Sequence, residues 1–150
     1  MNARPSRHDT PAWVAAVLAA PATWLVARLA LTLPYWWSGI DKALHPQAAQ
    51  AEVAGLLGGA APLLPYFALL LTQLGGSLLV IFNRWTWLGA GALGAFTLLV
   101  TILAHAFWKL DGAARFGEMN IFMEHIAIIA GFVFAAILAH DRSTLPPSGH

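Results

Sequence analysis

Imidazole and carboxylate side chains set in an apolar sequence carry protons or bind metal ions, and four of them, His105, Glu118, Glu124 and His125, stand in the second half of this chain. On one helix, Glu118 and His125 are seven apart and share a face, whereas Asn120 and Glu124 are four apart and share another. Further back, Asp41 and His45 are also four apart and stack on one face, with Lys42 turned about 100° away. An ionisable residue inside a hydrophobic span costs about 2.5 to 3.5 kcal/mol on insertion scales and usually faces a partner. Glu124 and His105 are therefore the most informative pair.

Three kinds of use fit these groups. A quinone carbonyl needs hydrogen-bond donors and, on reduction, a proton source; His105 and His125 can donate, Glu124 can pass protons, and Lys42 and Gln73 complete a candidate ligand set. Alternatively, His45, His105, Glu118, Glu124 and His125 can supply three or four ligands to zinc, copper or iron, although no two histidines stand four apart on one helix. The third use is structural: Glu124 with His105 or His125 clamps two helices, Gln73 bridges helices as an amide donor, and Glu118 complements a helix dipole.

The elements that must position these groups are membrane helices. The 150 residues are 59% hydrophobic and only 10% charged, against roughly 25% charged in a soluble domain. A bilayer-spanning helix needs about 20 mostly apolar residues, and four stretches qualify: 23–43, 63–82, 85–107 and 120–139. The expected fold is all-α, an integral membrane four-helix bundle over residues 23–140. Asn83 and Arg84 alone separate the second and third stretches, which implies a tight antiparallel hairpin. Pro34 should kink the first span. Trp36 and Trp37, like Trp85 and Trp87, suit an aromatic belt. Gly39, Gly75 and Gly76 are the expected packing glycines, since small residues let membrane helices approach closely.

Residues 1–22 read as a tail and a short interfacial helix. Arg4, Arg7 and the run Pro11 to Ala20 imitate a secretory signal, but an apolar segment bounded by prolines equally suits a retained helix lying in the interface. Residues 141–150 read as a disordered tail. Arg4, Arg7, Arg28, Arg84 and Arg142 gather at one face against Lys42, Lys109 and Arg115 at the other. That modest asymmetry makes both termini cytoplasmic and puts the His and Glu groups at the non-cytoplasmic face. The absence of cysteine removes disulfides and thiolate metal sites, and no basic stripe points to nucleic acid.

Several of these features resemble the DoxX family of small four-helix membrane proteins. They are the Arg28-Leu-Ala opening of span one, its Ser38-Gly39-Ile40-Asp41-Lys42 ending, the Gln73-Leu74-Gly75-Gly76 element of span two and His105 near the end of span three. The resemblance runs from about Ala22 to Ala139 and implies a bacterial inner-membrane protein associated with redox enzymes or with oxidative stress. It places Gly39 and Lys42 at the family's glycine and lysine, Gln73 where Glu or Gln commonly stands, and Gly76 at a packing glycine. The polar fourth span departs from a plain apolar helix, which puts transfer of any thiosulfate-oxidising activity in doubt. The leading expectation is a quinone-linked subunit of a redox system, embedded in lipid, with electrons supplied by a partner and a larger redox or membrane complex or a homo-oligomer as its assembly. A purely anchoring subunit and a metal-handling protein are the alternatives.

Overall fold

The computed structural model describes residues 10–59 and 63–144, with side chains to 141, and every regular element among them is helical. Seven α-helices follow in order: α1 (Ala12–Ala19), α2 (Pro21–Leu44), α3 (Pro46–Leu57), α4 (Leu63–Leu70), α5 (Gly76–Ile81), α6 (Thr86–Ala104) and α7 (Gly112–Thr144). A π turn, Leu71–Gly75, joins α4 to α5. Arg4, Arg7 and the tail from residue 145 lie outside the described residues.

Three stretches, Leu63–Ile81, Thr86–Lys109 and Gly112–Asp141, are each long and apolar enough to cross a bilayer. The expected first span reaches that standard together with α1, across a 62° bend. The chain is therefore an all-helical, multi-pass membrane protein with three to four spans. The elbow between α1 and α2 is closed by side chains: Thr23 Oγ1 donates to the Val17 carbonyl at 2.6 Å and Trp24 Nε1 to that of Leu18 at 2.9 Å. These bonds satisfy carbonyls that the end of a helix leaves open.

Two sequence expectations change. The segment after His45 folds as α3, with Pro46 at its first turn and Gly58 in the left-handed conformation after its end, the usual placing of these two residues. The fourth span is longer than expected, because α7 begins at Gly112 and runs to Thr144, into the expected tail. Pro34 lies inside α2.

The hairpin turn follows from backbone bonding. Asn83 has φ 55°, and the amides of Asn83 and Arg84 donate to the carbonyls of Val80 and Leu79 at 3.2 and 3.1 Å, the paired closure of a Schellman motif. Tyr35 of α2, Val80 of α5, Ala90 and Leu93 of α6 and Phe132 of α7 form the buried apolar core. A Cβ on Gly39 would lie 2.7 Å from Leu74, and one on Gly89 would lie 2.7 Å from the Gly76 carbonyl oxygen. Gly39, Gly76 and Gly89 thus mark where backbones meet. A Cβ on Gly75 would meet Leu71 of its own turn at 3.5 Å.

Candidate functional site

The polar side chains form two clusters, with Tyr35 and Gln73 between them. At the end of α2, Lys42 Nζ donates to Ser38 Oγ at 3.1 Å and pairs with Glu52 of α3 at 2.9 Å. The Tyr66 hydroxyl of α4 donates to the Lys42 carbonyl at 3.2 Å. Lys42 is mostly covered and Glu52 half exposed. His45 and Asp41 pair at 3.1 Å on the exposed side of the same end, the stacking expected of residues four apart.

Gln73 sits at the centre of the π turn and is buried, 5% exposed. Single π turns inside α-helices occur frequently at functional sites. Its amide nitrogen faces Ser38 Oγ at 3.5 Å, and its Oε1 is buried with no hydrogen-bond partner. A buried acceptor left unmatched costs about 1 to 3 kcal/mol, so this oxygen awaits a donor. Gln73 lines a cavity of about 140 Å³ together with Tyr35, Thr97, His125 and apolar side chains that include Phe96 and Val100.

The second cluster descends from the α6–α7 end toward that cavity. His105 Nδ1 meets Glu118 Oε2 at 2.6 Å, and the His105 ring packs edge-on against that of His125, centroids 5.0 Å apart. His125 Nδ1 bonds Thr101 Oγ1 at 2.8 Å. One turn deeper, the Tyr35 hydroxyl meets Thr97 Oγ1 at 2.5 Å. Thr97 lies seven residues before the end of α6, about 10 Å into the span at 1.5 Å per residue.

A larger apolar groove, about 450 Å³, opens beside the cavity and shares Phe96 and Val100 with it. Its walls are Val53 and Leu56 of α3, Leu69 of α4 and Leu99 of α6, with others of the same kind. Polar cavity and apolar groove are neighbours, with Phe96 and Val100 in the wall of both.

The candidates named from sequence divide accordingly. Gln73 and His125 line the cavity, and His105 and Glu118 stand beside His125. Lys42 reaches Gln73 through their shared partner Ser38. Glu124 is exposed on the outer face of α7 and does not join them, because one residue along a helix turns the side chain by about 100° from His125. Among the described residues, no three of His, Asp and Glu gather as metal ligands, so the expected set of His45, His105, Glu118, Glu124 and His125 does not converge. Tyr35, Thr97 and Thr101 were missed. A hydroxyl inside an apolar span gives no pattern, and these threonines read as filler.

Residues 23–106, more than half of the chain, match the DoxX family model. No curated protein and no solved structure matches. The matched stretch contains Tyr35, Gln73 and Thr97 and stops before Glu118 and His125.

Proposed function

The chain belongs to the DoxX family, membrane proteins often linked to redox and oxidative-stress systems, and on that footing we propose that it is a redox-system subunit holding a quinone-type ligand. The observation that carries this reading is the unmatched Oε1 of Gln73 in a cavity that lies beside an apolar groove. A small polar ring on a long apolar tail has the matching shape, with the ring against Gln73, Tyr35 and His125 and the tail between α3, α4 and α6. At about 140 Å³ the cavity is smaller than the roughly 300 to 1,000 Å³ of drug-sized pockets. A small ring suits a cavity of this size.

In this reading the protein lies in the bacterial inner membrane with both termini cytoplasmic. Its helices sit among lipids, and a larger redox complex docks alongside to supply the electrons, with one or two copies of this chain in it. The binding role belongs to Gln73, Tyr35 and His125, while Lys42 and Ser38 position the Gln73 amide. Purification from native membranes in mild detergent, followed by mass spectrometry of extracted lipids and copurifying proteins, tests it. A quinone present in near-stoichiometric amount is the expected result, and its loss in Gln73→Leu should follow. Protein that carries lipid but no quinone would overturn the assignment.

A further inference from the structure

The structure assigns the cavity to the reduced, dihydroxy form of its ring ligand rather than to the oxidised dicarbonyl form, an inference that rests on the quinone-type reading above. The argument is a count of protons. Thr97 Oγ1 donates its single proton to the Leu93 carbonyl at 2.7 Å. The hydrogen bond between Thr97 and Tyr35 must therefore take its proton from the tyrosine, whose oxygen keeps a free lone pair. Thr101 Oγ1 likewise donates to the Thr97 carbonyl at 2.6 Å. His125 must then supply the proton of the His125–Thr101 bond through Nδ1, and in a neutral imidazole this leaves Nε2 as an acceptor.

Gln73 completes the set. Its amide nitrogen is turned to Ser38 Oγ, which also receives Lys42 Nζ, and its Oε1 has no partner. The polar side chains lining the cavity thus offer mainly lone pairs, on Tyr35, His125 and Gln73 Oε1, and the second N–H of the Gln73 amide is the one proton not committed elsewhere. A quinone ring presents two carbonyl oxygens, which accept, so its meeting with this wall leaves acceptors facing acceptors. A hydroquinone ring presents two hydroxyls, which donate. Sites built to bond a hydroxyl reject an analogue that cannot donate, because their own buried groups are left unmatched. This reverses the sequence expectation, in which His105 and His125 donate to a quinone carbonyl.

The test uses the full chain in detergent under anaerobic conditions. A short-tailed quinone and the same compound reduced with dithionite are titrated separately, at about pH 8 where an ordinary imidazole is neutral, and tryptophan fluorescence is read. The reduced form should bind at least tenfold tighter. Gln73→Leu should bring its affinity down to that of the quinone in the same variant, and Tyr35→Phe should weaken the reduced form by several-fold and more than it weakens the quinone. Equal affinities, or tighter binding of the quinone as an inverted Gln73 amide would give, overturn the redox-state assignment and leave the ligand class standing. Binding of neither form, with the cavity holding water only, overturns both.

Discussion

His125 donates through Nδ1 to Thr101 Oγ1 at 2.8 Å, since the threonine's one proton is spent on the Thr97 carbonyl at 2.6 Å. A hydroxyl-to-carbonyl bond inside α6 thereby fixes which nitrogen of an imidazole on α7 carries the proton. The hydroxyl transmits an orientation between two helices of the membrane interior.

Thr101→Val keeps the shape of the side chain and removes both bonds. It strands the imidazole N–H in a partly buried place, at a cost of up to about 1 to 3 kcal/mol. Thermal unfolding in detergent should show a midpoint lower by several degrees. An unchanged midpoint would mean that His125 has another partner, and the tautomer argued above would go with it.

Gln73→Leu should behave in the opposite way. The amide leaves an unmatched carbonyl at a site 5% exposed, and an apolar side chain of similar length removes that burden while losing one long contact to Ser38. Stability without ligand should stay within about 1 kcal/mol of the parent or rise. A much larger loss would show that the amide clamps α2 to the π turn.

Gly89→Ala places a methyl group 2.7 Å from the Gly76 carbonyl and 2.8 Å from Leu79 Cβ. Neither is a flexible side-chain end, so overpacking should cost about 1 to 3 kcal/mol. Gly91→Ala on the same helix meets nothing within 4 Å and should be neutral or stabilising by up to about 1 kcal/mol. Comparing the two midpoints checks the close approach of α5 and α6; equal midpoints would refute it.

Glu52→Gln breaks the 2.9 Å pair with Lys42. Because Glu52 is half exposed, the pair contributes no more than about 1 kcal/mol and less at high salt, so global stability should barely move. The effect belongs on α3, which the pair ties to α2. Amide hydrogen exchange across Pro46–Leu57 should quicken in the variant, and unchanged exchange there would show that apolar packing alone holds α3.

The apolar stretches were legible because bilayer thickness dictates their length, and the boundaries of α6 fall within a few residues of those expected. The seven-residue spacing of Glu118 and His125 put the two on one helix face, and the structure sets both against His105. What stayed hidden depends on tertiary contact or on a single displaced backbone bond. The helix α3 was read as a connection, although Pro46 and Gly58 mark its two ends. The π turn has no signature in Leu71-Thr72-Gln73-Leu74-Gly75. Nor does a sequence reveal which threonine receives a tyrosine or a histidine from another helix. Glu124 drew attention for being charged, but charge alone does not say toward which side of a helix it turns.

In terms of chain length, the π turn Leu71–Gly75 holds one residue more than an α-helical path would use. Deleting one residue there would restore α-helical register and rotate everything before it by about 100° relative to α5. Gly76 and Gly89 would keep their contact, while Tyr66 would swing away from the Lys42 carbonyl and the walls that α4 gives the groove would turn with it. The extra residue acts as an angular offset within one membrane crossing. It lets the half below Gly76 follow the packing of α6 while the half above answers to α2 and α3.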